Sequence, residues 1–305
     1  MSVELRTATA DDAPAITALL ERHNLATAGE NAVGEPEVRY WLTIPTLWFQ
    51  LAERGGQLVG YLDFFTEDDE HFVADVRTLE REAADALIDT AEGRASGGRI
   101  HGVVHGDDEL MRAAYEDGGY TLVRHSFQMR IELDGEVPKP QWPDGLVVRN
   151  FRPGDAERVC AAQQDAFADH WDFHPQSFEQ WRVFTIDRHD FDPSLWWFVE
   201  DGDKLVAVAL NWWHASGDPE FGWVQILGVR PAWRRRGLAT ALLQQSFRTF
   251  RERGATRVGL GVDAENTTGA VGLYERAGMR PIRRNDIYEK RLRRWPGTRG
   301  SRVAA

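Results

Sequence analysis

The densest chemistry in this chain lies between Phe221 and Gln245. An apolar run ending at Val229 is followed by Arg230-Pro-Ala-Trp-Arg-Arg-Arg236 and then by Gly237-Leu-Ala-Thr-Ala-Leu-Leu243. The pattern predicts a strand, a short loop and a helix beginning near Gly237, with apolar residues at 238, 241, 242 and 243. The first-turn amides of such a helix have no partner within it and carry the positive end of the helix dipole, so the junction suits an anion. Gly237 would let the backbone approach that anion without a Cβ, with small Ala239 and Thr240 continuing the clearance, and Arg234, Arg235 and Arg236 would add charge. The plainer reading is a glycine-containing helix start with solvent-facing arginines.

A second segment follows: a glycine-spaced apolar strand, Arg257 to Asp263, and then Asn266-Thr-Thr-Gly-Ala-Val-Gly-Leu-Tyr-Glu-Arg-Ala-Gly-Met279. Asn266 is expected to cap a helix that Gly278 closes. Tyr274 would lie about two turns along it. Its phenol is either a core aromatic or a proton donor.

A third cluster is Asp169-His-Trp-Asp-Phe-His174. His170 and His174 four residues apart raise the question of a metal, but histidines in a Trp/Phe-rich loop usually pack or hydrogen-bond, and no metal is expected. His214 is read the same way. Together with Trp171, Trp181, Trp212 and Trp223 the cluster suggests a broad aromatic pocket.

The elements that must position these residues occur twice. Leu5 to Ala13 matches Val148 to Ala156 at an offset of 143 residues, Gln57-Leu-Val-Gly matches Lys204-Leu-Val-Ala at 147, and Ala113 to Tyr120 matches Gly272 to Met279 at 159. Each copy closes on an alternating segment, Phe127–Leu133 or Ile287–Leu292, read as a strand. The expected organisation is a domain over 1–134, a Pro/Gly-rich linker over 135–145, a domain over 146–292 and a disordered basic tail over 293–305. The first copy lacks the cradle. Aligning Val76 with Val229 shortens its connection by about three residues, no glycine remains, and Glu80 and Glu82 stand where an anion would sit. Tyr115 occupies the Tyr274 position and is read as packing.

At 305 residues, 42% hydrophobic and 28% charged, the chain has material for two globular cores and no run of 18 apolar residues to span a membrane. One cysteine, Cys160, excludes an intramolecular disulfide. Residues 1–145 carry 12 Lys+Arg against 28 Asp+Glu and the remainder is net +4, so neither half has the strongly basic face of a nucleic-acid binder. The first residues lack the pattern of a signal peptide, so a cytoplasmic protein is expected, as a monomer or homodimer with no nucleic-acid or membrane partner.

The two motifs resemble those of the GNAT N-acetyltransferase superfamily, in particular its tandem two-domain members common in actinobacteria. The family's Gln/Arg-x-x-Gly-x-Gly/Ala is matched by Arg234, Gly237 and Ala239. Its asparagine with a Leu-Tyr-Glu-x-x-Gly helix is matched by Asn266, Leu273, Tyr274, Glu275 and Gly278. The resemblance covers 146–292 and, through the repeat, extends more weakly to 3–134. It implies an α/β (α+β) fold of two tandem GNAT-like domains, each a mixed, mostly antiparallel sheet flanked by helices.

It further implies acetyl-CoA as co-substrate and a small-molecule amine as acceptor. Loop amides from Arg235 through Gly237, Leu238 and Ala239 to Thr240 would hold the pyrophosphate. The strand backbone at Leu227, Gly228 and Val229 would pair with the pantetheine arm and steady the oxyanion, with Asn266 helping to place the arm. Tyr274 would protonate the departing thiolate. Many members carry a base on the strand before the loop, where this chain has Gly222, Trp223 and Val224; Glu220 or an ordered water is the expected substitute. His170, Trp171, His174 and Trp223 are the expected acceptor contacts. The leading expectation is an N-acetyltransferase acting by direct attack. The alternatives are mycothiol-synthase-like acetylation of a cysteinyl pseudodisaccharide and a non-catalytic acyl-CoA sensor.

Overall fold

The computed structural model describes residues 2–30, 33–95, 97–214 and 217–293. All but the first residue of the expected tail lies outside them. The chain forms two compact units, one running to His125 and resuming at Arg284, the other spanning Ser126–Arg283.

The elements of the first half are β1 (Glu4–Thr7), α1 (Ala13–Ala28), α2 (Glu35–Trp41), β2 (Leu47–Arg54), β3 (Gln57–Asp68), β4 (His71–Thr78), α3 (Arg81–Arg94), β5 (Gly98–His105), α4 (Glu109–Asp117) and β6 (Thr121–Glu132). Those of the second are β7 (Val147–Asn150), α5 (Ala156–Phe167), α6 (Phe178–Val183), β8 (Trp197–Asp201), β9 (Lys204–Trp213), β10 (Phe221–Val229), α7 (Leu238–Glu252), β11 (Arg257–Asp263), α8 (Ala270–Arg276) and β12 (Arg280–Leu292). None of the described helices is long and apolar enough to cross a membrane.

In the first unit the strand order is β1-β2-β3-β4-β5-β12, and in the second β7-β8-β9-β10-β11-β6. Each sheet has one parallel pair, β4 with β5 and β10 with β11, and its other pairs within the unit are antiparallel. The repeat is therefore real in three dimensions, and it extends to side chains. Arg6 grips Asp12 and Glu53, and Arg149 grips Asp155 and Glu200, all between 2.6 and 2.9 Å, at the offsets the sequence showed.

The closing strands depart from the simple division of the sequence. Ser126–Glu132 of β6 pairs along the whole of β11, and residues 285–292 of β12 pair along β5. Each sheet is thus completed by the strand that ends the other copy. An alternating strand pattern states which faces are apolar but not which sheet it joins, so the boundary could not be read from the repeat. The expected linker contains no regular element, yet Val137 is buried in the second unit's core and Arg251 donates to the Gly135 carbonyl.

In the second unit β9 is buried on both faces from Leu205 to Asn211. Helix α7 covers the sheet with Leu238, Leu242 and Phe250 on one i, i+4 row and with Leu243 and Phe247 on the row beside it. Each of these large side chains contributes roughly 1.5–3 kcal/mol by burial. The stripe sets the direction of the helix, so its N-terminus ends beside the tip of β10.

Candidate active site

β10 and β11 pair only over Phe221–Trp223 and Arg257–Gly259. Beyond that point they diverge, and the register of β10 against β9 slips between Val224 and Ile226, leaving Gln225 as a bulge. A cavity of about 600 Å³ fills the wedge between the strands. Arg230 N–H donates to the Val206 carbonyl at 3.0 Å, so by the alternation of an antiparallel ladder Gly228 also faces β9, while Leu227 and Val229 present their backbone to the wedge. Gly228 has a packing reason: a Cβ there would meet Ala166 Cβ at 3.0 Å and the Phe167 ring at 3.1 Å.

The connection from β10 to α7 is a 3-10 turn, Pro231–Trp233, followed by extended Arg234 and by Arg235 and Gly237 in the left-handed region at φ +63° and +83°. The first helical bond runs from Ala241 N–H to the Gly237 carbonyl. The amides of Leu238, Ala239 and Thr240 are therefore left without helical partners, no side chain caps them, and all three residues line the cavity. Gly237 is required by its φ rather than by crowding, since nothing lies within 4 Å of a Cβ built on it.

The three arginines divide. Arg234 does not offer its guanidinium to the cavity's anion end. It forms a bidentate pair with Asp169 at 2.5 and 2.8 Å and donates to the carbonyls of Ala166 (3.0 Å) and Val229 (3.2 Å). It is a clamp that ties the end of α5 to the loop. Arg236 lies outside the cavity lining and donates to the Ala232 carbonyl. Arg235 is exposed and lines the cavity, and so does Arg276 at the end of α8, a cation the sequence reading missed. Its place in the Leu-Tyr-Glu-x-x-Gly helix, two residues beyond Tyr274, was the available signal.

On the opposite wall, Asn266 is not the helix cap. Its Oδ1 accepts from Thr268 N–H at 2.8 Å and from the Thr268 hydroxyl, closing a turn, and the helix begins later with Gly269 at φ +78° as its N-cap. Asn266, Thr267 and Thr268 line the cavity as a shelf. Gly278 does close α8, with Gly278 N–H on the Glu275 carbonyl and Met279 N–H on that of Tyr274 at 3.0 Å each. Tyr274 is 7% exposed and lines the cavity, and burial pushes its phenol up to about 12. At neutral pH it is a proton donor, not a phenolate.

Of the expected acceptor contacts, only His170 lines the cavity. Its ring packs on Phe167 at 4.4 Å. Trp171 is 38% exposed and outside the lining, and His174 lies 3.4 Å from Asp172. Trp223 packs edge-on against Phe221 and donates to Gln225 Oε1 at 2.7 Å. The aromatic pocket is not formed as expected: Trp181 is buried in the core and Trp212 lies under Arg188 at 4.0 Å. Glu220, at the far end of β10, is not brought to the site either; its carboxylate accepts from the Thr256 hydroxyl at 3.2 Å. The bulged Gln225, which does line the cavity, was invisible in the sequence because the bulge depends on the partner strand's register.

Residues 157–279 match the Acetyltransferase (GNAT) family. The mycothiol acetyltransferase of Streptomyces bingchenggensis is 32% identical over 251 residues, covering 74% of this chain and 75% of that protein. The chain belongs to the GNAT acetyltransferase family. The mycothiol acetyltransferase of Geodermatophilus obscurus is 33% identical over 73% of this chain and 76% of its own. A GCN5-related N-acetyltransferase from Sphaerobacter thermophilus superposes with a TM-score of 0.78 at 28% identity, over 95% of this chain and 96% of that one. A tandem GNAT protein from the clavulanic acid pathway shares the fold at 13% identity, with a TM-score of 0.75 over 95% and 98% of the two chains. The protein is thus an acyltransferase, and the family's co-substrate, acetyl-CoA, is an anion of the kind the α7 amides suit.

The first unit has the same wedge with different contents. β4 and β5 pair over His71–Ala74 and Arg99–Gly102 and then part. Only two residues separate β4 from α3, against eight between β10 and α7. Glu80 caps α3, and it and Glu82 are held by Arg54 at 2.9 and 2.7 Å. Asp63 and Asp75 face each other across β3 and β4. Asp75 takes Arg77 in two bonds of 2.8 Å and His105 at 3.0 Å, and Asp63 takes the Tyr61 hydroxyl at 2.9 Å. Burial and the Asp75 charge push the Asp63 carboxyl up, and burial together with Arg77 pushes His105 down to about 4. Tyr115 is packed face to face with Tyr288 and covers Gly102, its hydroxyl 3.4 Å from the Ala74 carbonyl.

Proposed function

We propose that the second unit transfers an acetyl group from acetyl-CoA to the primary amine of a small molecule by direct attack, and that it holds the one acetyl-CoA site of the chain. The observation that carries this reading is a single cavity with the unpaired amides of α7 at one end, the open backbone edge of β10 along its length and the neutral Tyr274 phenol on its wall.

In this reading the amides from Arg235 to Thr240 hold the diphosphate, with Arg235 and Arg276 supplying the charge. The backbone of Leu227 and Val229 pairs with the pantetheine amides, and the shelf around Asn266 supports the arm. The attacking amine forms the C–N bond, and the Val229 amide steadies the oxyanion. As the C–S bond breaks, Tyr274 gives its proton to the sulfur and takes back the one the new amide nitrogen sheds. The short β4–α3 connection and the paired charges in the first wedge support a first unit without this ligand.

For the acceptor, the similarity to mycothiol acetyltransferases over three quarters of each chain favours the cysteinyl amine of a pseudodisaccharide. Calorimetric titration with acetyl-CoA, followed by thiol release with that acceptor, tests both parts. One site per chain and turnover are expected. Two sites would overturn the assignment to the second unit alone, and absence of binding at millimolar acetyl-CoA would overturn the enzyme mechanism.

A further inference from the structure

A primary amine reaches the site mostly as an ammonium ion, which has no lone pair to attack with, and the base expected from the sequence, Glu220, is outside the cavity. Among the described residues, the carboxylates and imidazole in the cavity lining are those of Asp169, Asp263 and His170. Asp169 has both oxygens on Arg234, and that guanidinium holds its carboxyl below the usual range. Asp263 accepts from the Glu265 amide at 3.0 Å. Resting on the acetyl-transfer reading above, we propose that His170 is the catalytic base that takes the proton from the acceptor ammonium.

The geometry supports this in three ways. His170 is half-buried in the cavity wall, and its ring nitrogens have no hydrogen-bond partner among the described residues. Its position is fixed by the Phe167 ring at 4.4 Å, by its own amide on the Phe167 carbonyl at 2.9 Å, and by the neighbouring Asp169, which the Arg234 clamp locks to the phosphate loop. The charged groups facing it, Asp169, Arg234 and Asp263, act in opposite senses, and burial leads in lowering its affinity for a proton, so the imidazole is neutral when the substrate arrives. The ammonium proton passes to the imidazole, directly or through one water, and then to solvent. The amine lone pair attacks the thioester, and the second proton follows the Tyr274 route to the sulfur, so one proton is released per acetyl group transferred.

The test uses the full chain, acetyl-CoA and the cysteinyl pseudodisaccharide, with His170→Gln, His170→Ala and Asp263→Asn beside the wild type. Both His170 variants should bind acetyl-CoA within about threefold of wild type by calorimetry, which separates the result from a folding loss. Their kcat should fall by about 100-fold and the acidic limb of the kcat–pH profile should disappear. Added imidazole should restore turnover to His170→Ala, which a structural role would not allow. Retained kcat with an unchanged acidic limb, or loss of that limb in Asp263→Asn alone, would overturn the proposal. If the wild type binds acetyl-CoA but does not turn over this acceptor, the acceptor reading fails on its own. His170 is then judged by NMR titration of the acetyl-CoA complex, where an imidazole protonated at pH 7 refutes it and a neutral one sustains it.

Discussion

Gly237→Asp separates the fold of the phosphate loop from its chemistry. The position sits at φ +83°, where an L-residue is strained by about 1–2 kcal/mol, and nothing lies within 4 Å of the new Cβ. The new carboxylate stands at the positive end of α7, where a negative charge returns about 0.3–1 kcal/mol. Unfolding stability should therefore fall by no more than about 1–2 kcal/mol. Binding is another matter. A carboxylate about 5 Å from a bound diphosphate, at an effective dielectric near 20, opposes each phosphate charge by about 3 kcal/mol, or at least about 100-fold in Kd. Gly237→Asn is the control, because asparagine tolerates the left-handed region and carries no charge. Calorimetry with acetyl-CoA should show Asn within about tenfold of wild type and Asp a further 100-fold weaker, with the gap narrowing as salt is raised. If the two variants bind within threefold of one another, the diphosphate is not held at this helix end.

Tyr274→Phe should lower kcat by about 100-fold with little change in acetyl-CoA affinity. Because burial raises that phenol to about 12, its loss of a proton should not limit wild-type turnover below about pH 10, as a kcat–pH profile will show. Tyr115→Phe, at the matching place in the first unit, should leave thiol release and acetyl-CoA binding unchanged and cost no more than about 1 kcal/mol in denaturant unfolding, since only the 3.4 Å bond to Ala74 is lost. Asp63→Asn should make the first unit less sensitive to alkali. A carboxyl whose affinity for protons is raised by folding binds more protons folded than unfolded, so its stability is present at acid pH and is lost as pH rises through the folded pKa. The melting temperature of Asp63→Asn should thus gain on wild type between pH 5.5 and 8.5; a gain on acidification instead would reverse the sign of this account.

The parts of the site that were legible in the sequence depend on short-range chemistry. A helix N-terminus eight residues after a strand exposes its amides whatever surrounds it, and Gly278 closes α8 with its own amide on the carbonyl three residues back and that of Met279 on the carbonyl five back. The missed parts depend on partners far along the chain. Arg234 reads as a phosphate ligand until Asp169, 65 residues earlier, is seen on its guanidinium. Asn266 has the right type for a cap, but its side chain is used two residues on, by Thr268, and a left-handed glycine starts the helix instead. Trp181 and Trp223 look alike as aromatic candidates in a linear pattern, and only the packing sends one into the core.

The same distinction explains how the two units come to differ at the wedge while their strand order does not. Both wedges open because a parallel pair of strands parts after three or four residues. What fills the opening is decided where the next helix begins. In the second unit, eight residues allow a turn and two left-handed residues before α7, so the wedge ends in unsatisfied N–H groups that call for an anion. In the first, two residues bring α3 in directly behind Glu80, and the strands carry Asp75, which takes Arg77 and, from β5, His105, beside Asp63, which takes the Tyr61 hydroxyl. An acidic ligand there would meet Glu80 and Glu82 at the start of α3 and would have to displace Asp75 from its two bonds to Arg77. Inserting the Arg230–Gly237 connection between Thr78 and Arg81 would not by itself restore binding; Asp63 and Asp75 would also have to become apolar or small. A chimera with the loop alone that binds a second acetyl-CoA would show that the connection, and not the ion pairs, decides whether a wedge takes this ligand.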